Sequence, residues 1–563
     1  MKGGSEALVH AVRHYLNTKP EGHAFLKLDF TNAFNSLRRD SMMEAVASHC
    51  PGLLPLIVSS YGTPSSLWLG ADILSSDEGI QQGDPLGPLL FSLTLQPLLQ
   101  EFRGTFICGY LDDVGMGDTA SHLVAHVRSL EKSAKSIGLS LNHSKCDVIG
   151  LAPDDSLCFE EGGLGFTVTP LASSRFLGAP LNLTGVEESL IEFDSKLQAL
   201  SPRLLRLPPH EAYFLLKTCF AIPKLQYLIR TAPVFSSQGQ VALSGHIRET
   251  LSAILNVRLD EDAWTQASLP VRWGGVGVRD ICSLAPSAFL SSLTSTSNLV
   301  KSLLPASLST KPDPLLELAL TEWASLGGIT QPTGAEAAGQ RAWDEPVCVA
   351  IHSRLLLQAD SLSRARLLAA SAPDAGAWLN TLPIRSLGLV LSGREIRIAV
   401  GLRLGAPLVR SHTCVCGVEV DSLGHHGLSC RRSSGRHRRH AQANDIIARA
   451  LRAADVQVQL EPPRLLRDNG KRPDGATLDP WSRGRYLVWD FTCPDTLAPS
   501  YVAHSSTSAG SAAARAEQLK MTKYSQLRGR EDILFAPMAI ESLGTWGPSA
   551  TDICKEIYAQ GLP

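Results

Sequence analysis

At 563 residues the chain is several times the usual domain size, so it should fold as three or four domains, each with its own core. Apolar residues make up 44% and charged residues 19%, and the longest apolar run, residues 88 to 99, is broken by Ser92, Gln96 and Pro97, so no membrane span is expected. A total of 52 Lys and Arg against 54 Asp and Glu gives a formal charge of -2, a mild argument against nucleic-acid binding. That average hides a basic run, Arg431, Arg432, Arg436, Arg438 and Arg439. The N-terminus lacks a basic segment followed by an apolar core, so nothing marks the chain for secretion, and its cysteines are expected as reduced thiols or metal ligands.

Residues 25 to 30 alternate as a strand does, and residues 40 to 49 predict a short helix capped by Asp40. A second helix is expected over residues 85 to 99 behind a Gly/Asp/Pro turn, and residues 106 to 110 and 114 to 116 predict two short strands joined tightly. This first region is mixed α/β. Helical periodicity then runs from 188 to 257. A helical connector with loops is expected over 284 to 314 and again over 331 to 340. After Cys430 a basic helix should run to about Ala453, with strands and Pro/Gly/Asp turns beyond it.

Asp29 ends the first strand in Leu28-Asp29-Phe30-Thr31-Asn32-Ala33-Phe34, and a second pair of acids sits in Gly109-Tyr110-Leu111-Asp112-Asp113-Val114. Adjacent carboxylates in a hairpin turn repel each other unless a cation neutralises them, which is a physical reason for a divalent metal there. The plain alternative is a polar turn. Tyr110-Leu111-Asp112-Asp113 resembles the Tyr-x-Asp-Asp hairpin of reverse transcriptases, and the Asp29 strand resembles their first palm motif. Gln82-Gly83-Asp84-Pro85 resembles the turn that supports template and incoming nucleotide. Gly138-Leu139-Ser140-Leu141-Asn142 with Lys145 resembles the fourth element, and Phe176-Leu177-Gly178 resembles the primer grip. The order of these five is also the family's.

The resemblance is to reverse transcriptases of non-LTR retrotransposons. It implies a right-hand palm in which Asp29 and Asp112 bridge two Mg2+ ions, supported by Asp113. Gln82, Gly83, Pro85 and Tyr110 would contact template or nucleotide, and Phe34 would stack under the sugar and exclude a 2'-hydroxyl. Lys145 would donate a proton to pyrophosphate. Phe34 is otherwise a core residue at a strand end, and Lys145 a solvated lysine. Gly87 stands where the family usually has Ser. The opening Met1-Lys2-Gly3-Gly4-Ser5-Glu6 resembles the last finger helix before the palm, so most of the fingers are expected to be absent.

Cys414-Val415-Cys416-Gly417, His426 and Cys430 offer three thiolates and an imidazole, a set suited to tetrahedral Zn2+, with Gly417 allowing the tight turn. His425 is a rival ligand. The arginines that follow suit a phosphate backbone, or form an ordinary solvated face. Lys471-Arg472-Pro473-Asp474-Gly475 and then Asp490 in Trp489-Asp490-Phe491-Thr492 can hold a metal that activates water, although Pro-Asp-Gly alone reads as a turn. The arrangement resembles the PD-(D/E)xK nuclease fold, with Thr492 where the usual Lys stands. Lys520 and Tyr524, four apart on one helix face, would supply base and orienting hydroxyl. Such a displaced Lys behind a Cys/His knuckle resembles the nuclease of early-branching non-LTR elements. Leu269-Pro270 and Gly274-Gly275-Val276-Gly277 resemble a segment found after the thumb, with glycines explained by turns.

The expected fold is therefore multidomain. It comprises an α/β reverse-transcriptase palm with a remnant of fingers (1 to 187), a helical thumb-like region (188 to 283) and a helical connector (284 to 407). A zinc knuckle with its basic patch (408 to 440) and an α/β restriction-like endonuclease (441 to 563) follow. The expected function is RNA-directed DNA polymerisation in target-primed reverse transcription, aided by the nuclease. RNA template, DNA primer or target and deoxynucleoside triphosphates are the expected partners, with Mg2+ at both catalytic sites, Zn2+ in the knuckle and a nuclear location. The alternative is a truncated, polymerase-inactive copy that only binds or nicks nucleic acid.

Overall fold

In the computed structural model the described residues are 3–151, 159, 164–433, 435–463, 465 and 472–560. Met1 and Lys2 of the opening segment and Lys471 of the Lys-Arg-Pro-Asp-Gly stretch lie outside them. The chain divides into two compact units, neither contiguous in sequence. The first comprises Met1–Phe193, Leu225–Gln240 and Cys282–Asp344, and the second Asp194–Lys224, Val241–Ile281 and Glu345–Pro563.

In the first unit, α1 (Gly4–Thr18) leads into β1 (His23–Leu28) and α2 (Arg39–His49). The hairpin β2 (Ser65–Leu69) and β3 (Asp72–Ser76) precedes α3 (Gly87–Gln100), β4 (Phe106–Tyr110), β5 (Asp113–Thr119) and α4 (Ala120–Ser136). Then come β6 (Asp147–Ile149), β7 (Thr167–Thr169), the short pair β8 (Arg175–Phe176) and β9 (Ala179–Pro180), and α5 (Ile281–Leu303). The main sheet has the order β4-β5-β1-β6-β7, antiparallel except where β6 meets β7.

Alternation along β1 fixes what each face carries. Ala24, Leu26 and Leu28 are fully buried against a core that includes Met42, Val46, Leu90, Phe91 and Val127, from α2, α3 and α4. Phe25 faces the other way, into a second core with Tyr15 and Val12 of α1, Phe106 and Phe176. Helix α1 is buried on all sides over residues 7–16, where the sequence suggested a remnant of a finger helix. Two of its polar groups, half-buried Glu6 and buried His10, are satisfied within the unit. Glu6 takes two hydrogen bonds of 2.8 Å from Arg230 and one of 2.8 Å from Ser292, and His10 Nε2 lies 2.8 Å from Ser292 Oγ. Burial alone would raise the Glu6 carboxyl, but the bonds from Arg230 and Ser292 outweigh it and hold the group below the usual range.

Some boundaries differ from the sequence reading. The first strand stops at Leu28, and Phe30 keeps only an isolated bridge to Leu141, so Asp29 stands where the ladder ends. Helix α2 begins one residue earlier than Asp40, which lies in its first turn and does not cap it; its carboxylate pairs instead with Arg38. Helix α3 begins behind Asp84, which accepts from the Leu86 N–H at 2.8 Å and from the Tyr61 hydroxyl. Its polar residues satisfy themselves locally: Ser92 and Thr94 donate to the carbonyls of Pro88 and Leu90.

The second unit includes α6 (Gly393–Leu404), closed by a capping box of Ser392 and Glu395 and by Gly405 in the left-handed region. Within it, Gly275 answers to space, since a Cβ there would lie 2.0 Å from the Leu269 carbonyl oxygen; a turn explains Gly274 and Gly277 but not this residue. Next come the hairpin β10 (His412–Thr413) and β11 (Glu419–Val420), α7 (His426–Ser429) and α8 (Gly435–Ala453). A sheet of order β12 (Val458–Leu460), β13 (Gly475–Thr477), β14 (Tyr486–Thr492) and β15 (Ile533–Ala539) follows, with α9 (Ser511–Lys523) before β15 and α10 (Pro548–Gln560) after it. Only β14 and β15 run parallel. Leu487, Trp489 and Phe491 pack with Ile447 and Leu451 of α8 and Ile553 of α10, and Val488 packs with Tyr524 on the opposite face. Among the described residues, no helix is long and apolar enough to cross a membrane.

Candidate active sites and metal centre

Three acids meet at the end of the first sheet. In the β4–β5 hairpin Tyr110 pairs with Asp113, so Leu111 and Asp112 form its two-residue tip. Leu111 has φ 58°, a conformation that costs a branched side chain energy and that is kept at hairpin tips when the surroundings impose it. Leu28 pairs with Val114, so one step further along the two strands Asp29 comes beside Asp113. The charges report this proximity: burial first, then Asp112 and Asp29, raise the Asp113 carboxyl above its ordinary value, against the opposing pull of Lys27.

The other sequence-derived residues of this unit are placed as follows. Asn142 donates from its backbone to the Asp29 carbonyl at 2.8 Å, and Thr31 donates to the Ser140 carbonyl at 2.8 Å, so the Gly138–Asn142 stretch, residues 138–142, braces the Asp29 turn. Lys145 is exposed. The Phe34 ring stacks on Phe91 at 4.6 Å and 13°, and is half-buried at the edge of the core. Gln82 is exposed, Gly83 has φ 96°, and Pro85 leads into α3. A Cβ on Gly87 would come within 3.2 Å of the Ile80 side chain, which would have to give by a few tenths of an ångström. Tyr110 is partly exposed, and Leu177 and Gly178, both with positive φ, turn between β8 and β9.

A second constellation lies in the C-terminal sheet. Asp474 precedes β13, and its Oδ2 accepts the Phe491 N–H at 2.6 Å and sits 3.1 Å from His440 Nε2. The Pro-Asp-Gly stretch is more than a turn, because Gly475 opens a strand where a Cβ would strike the Trp489 ring at 2.1 Å. Asp490, on β14, is 2% exposed and shares the face of Val488. Its Oδ1 accepts from the Tyr524 hydroxyl at 2.7 Å, and its Oδ2 ion-pairs with Lys520 of α9. Burial first, then the bond to Asp490, hold the Tyr524 hydroxyl well above the usual phenol range, so it stays a proton donor. Lys520 also lines a cleft of about 300 Å³ with Arg436, Thr492 and Tyr501.

The third group is the Cys/His cluster. The ligand atoms of Cys414, Cys416, His426 and Cys430 all lie within 4.8 Å of one another. Cys414 Sγ is 3.8 Å from Cys430 Sγ, and Cys416 Sγ is 3.1 Å from His426 Nε2. Edges of roughly 3.5–3.8 Å are what a tetrahedral site with Zn–S near 2.3 Å and Zn–N near 2.0 Å requires, so the set fits that ion. Gly417, at φ 87°, closes the turn by donating to the Cys414 carbonyl at 2.7 Å. Hydrogen bonds from the backbone and then the side chain of Cys416 lower the Cys414 thiol to about 6. Of the two histidines, His426 joins the cluster. His425 is a separate, half-buried ring lowered by desolvation.

Residues 2–181 match the family model described as reverse transcriptase (RNA-dependent DNA polymerase). The chain is 24% identical over 548 residues to the retrotransposable element SLACS 132 kDa protein of Trypanosoma brucei gambiense, covering 92% of this chain and 41% of that protein. It is 26% identical over 503 residues to the retrovirus-related Pol polyprotein from type-2 retrotransposable element R2DM of Drosophila melanogaster, covering 79% and 44%. Residues 2–181 are thus similar to reverse transcriptases, and both relatives come from retrotransposable elements. The chain spans less than half the length of these relatives.

The sequence-derived residues fall into three groups, each drawn from segments separated in the sequence. Lys145 is exposed, as is Gln82. Sequence reading missed His440 and Asn444, four apart on α8. Asn444 Oδ1 accepts from Trp489 Nε1 at 3.0 Å, and its Nδ2 lies 3.3 Å from His440 Nδ1. The bond to Asp474 raises His440 above its ordinary value, ahead of the opposing effect of burial. In the sequence His440 is the last residue of a basic run and reads as solvated charge. Only the i, i+4 spacing with Asn444 hinted at a shared face. Lys27, two residues before Asp29 on the same strand face and 3.9 Å from Asp147, was also unrecognised.

Proposed function

We propose that the chain synthesises DNA on an RNA template for a non-LTR retrotransposon, extending a primer that its own C-terminal nuclease creates in the target. The observation that carries this reading is the strand register that brings Asp29, Asp112 and Asp113 together, with Asp113 raised by burial and then by its acidic neighbours. Unneutralised, that concentration of charge opposes folding, and a pair of divalent cations removes the opposition. Asp29 and Asp112 would hold two Mg2+ ions, with Asp113 in support. The ions would acidify the primer 3'-hydroxyl and neutralise the triphosphate.

The chain's own residues do the rest. Phe34, held by its stack on Phe91, walls off the sugar where a 2'-hydroxyl would project. The Gln82-Gly83-Asp84-Pro85 turn, pinned through Asp84 to Tyr61 and to α3, and Tyr110 beside the acids support template and nucleotide. Lys145 gives a proton to departing pyrophosphate. In the C-terminal sheet Asp474 and Asp490 would hold Mg2+, Lys520 positions the attacking water, and Tyr524 orients Asp490. Cys414, Cys416, His426 and Cys430 bind zinc, and the exposed Arg431, Arg436 and Arg438 contact phosphates. The proposed domains are the palm with remnant fingers (1 to 187), thumb-like region (188 to 283), connector (284 to 407), knuckle (408 to 440) and nuclease (441 to 563). Integration into a genome puts the site of action in the nucleus.

The test is Mg2+-dependent extension of a DNA primer on RNA, compared with Asp112→Ala. Extension that survives this substitution overturns the site. Binding of nucleic acid with no extension by the unaltered chain would leave a protein that binds or nicks only.

A further inference from the structure

Each acid of the C-terminal site has one oxygen committed to the scaffold. On Asp490 the Tyr524 hydroxyl takes Oδ1. On Asp474, Oδ2 receives both the Phe491 N–H and His440 Nε2, and the Asn444 side chain also acts on this carboxylate and lowers it. The direction of the His440 contact is fixed by a chain of bonds that starts in the core. Trp489 Nε1 can only donate, so the Asn444 atom it meets is Oδ1. Asn444 therefore presents Nδ2, a donor, to His440 Nδ1, which accepts. That leaves the ring's proton on Nε2, aimed at the Asp474 carboxylate. A ring edge-on to Phe491, with centroids 5.9 Å apart, holds the imidazole in plane.

The same helix is fastened to the knuckle. Arg439, the residue before His440, donates to the Leu428 carbonyl at 3.1 Å, and Leu428 lies in α7 between the ligands His426 and Cys430. Only eight residues separate Cys430 from Arg439, so metal-dependent order in the knuckle reaches the start of α8 directly.

We propose that His440 is a positioning residue that turns Asp474 Oδ1 toward the nuclease metal, and that the Cys/His knuckle, through Arg439 and α8, sets this geometry. The inference rests on reading the C-terminal sheet as a metal-dependent nuclease. It gives the knuckle a second task besides contacting nucleic acid: the cluster acts as a brace for a carboxylate on the neighbouring strand. Outer partners of metal ligands typically change affinity or activity by about 10–100-fold when removed.

The experiment uses the full chain with Asp112→Ala and Asp113→Ala, which silence the palm, and with zinc content verified for every variant. Mn2+ binding without DNA is measured by the signal of the free ion, and nicking of supercoiled DNA is followed across Mg2+ concentrations. His440→Ala should raise the Mn2+ dissociation constant and the half-saturating Mg2+ by about 10–100-fold, with DNA affinity unchanged. His440→Gln, whose Nε2 can donate from a similar position, should recover most of the loss. Arg439→Ala should shift both in the same direction while retaining zinc. Unchanged Mn2+ binding in His440→Ala would overturn the proposal, as would weaker DNA binding with normal metal dependence, which would make His440 a phosphate contact. Mn2+ binding indifferent to Asp474→Ala/Asp490→Ala, with no nicking by the unaltered chain, would remove the nuclease reading and this proposal with it.

Discussion

Replacing Phe34 by Ala separates two roles that one ring can play. The ring stacks on Phe91 at 4.6 Å and lies half-buried on the core of the first unit. Full burial would make the loss about 3–5 kcal/mol. Half of that, with a stacking contribution of about 0.5–1.5 kcal/mol, puts the destabilisation at roughly 2–4 kcal/mol. If the exposed half of the ring also bars a 2'-hydroxyl, its removal opens space for that group. A difference of one such small group in an apolar pocket is worth about 1–3 kcal/mol, or roughly 10–200-fold in relative kcat/KM. The assay is single-nucleotide extension on RNA with each deoxynucleotide and its ribonucleotide, run beside a thermal melt. The expected variant melts earlier and uses ribonucleotides at least about tenfold better relative to deoxynucleotides. A lower melting temperature with unchanged discrimination would refute the gate and return Phe34 to the core.

Asp112→Ala should reduce extension by orders of magnitude, because removal of a shared metal bridge costs several kcal/mol of transition-state stabilisation; a rate within tenfold of the parent would exclude the assignment. Asp113→Asn should raise the melting temperature of the metal-free protein at pH 7. A carboxyl raised in the folded state binds its proton more tightly there than in the unfolded chain, so stability falls as pH rises from the unfolded value of about 4 through the raised folded value. Below about pH 3.5 parent and variant should melt together, and identical melts at pH 7 would contradict the raised carboxyl. Metal analysis of the full chain should find one zinc bound by the knuckle, lost in Cys430→Ala; equal zinc in both would remove Cys430 from the ligand set. Asp490→Ala should abolish nicking while DNA binding by the arginine run persists, and continued nicking would reduce Asp490 to a buried strand residue.

The palm was legible because its chemistry is local. Asp29 ends a strand whose alternation is plain, and Asp112-Asp113 sit in a hairpin whose two strands are adjacent in sequence. Gln82 to Pro85 form a turn that its own Gly and Pro announce. The knuckle was legible for the same reason, down to Gly417, but the choice between His425 and His426 needed the turn of α7 that points only the second toward the sulfurs. In the C-terminal sheet the pattern found Asp474, Asp490, Lys520 and Tyr524 and missed His440. A helix thirty-four residues before Asp474 can be matched to that acid only through the sheet order, which no local period encodes. Gly475 and Gly275 misled in another way. Both look like turn residues, yet each is glycine because a ring or a carbonyl occupies the space a Cβ would need.

The discontinuity of the first unit carries a consequence for inherited copies of this gene. Glu6 and His10 of α1 depend on Arg230 and Ser292, and the unit is not complete until Asp344. A premature stop at any codon before that point therefore removes part of the first unit, Arg230 and Ser292 among its later residues, and the acids of the palm would be made but less well held. A stop placed later, within Glu345–Pro563, spares every residue of the first unit and deletes only from the second. Reading-frame damage in such copies is thus asymmetric: the position of the lesion relative to residue 344 decides whether one compact unit or both are lost.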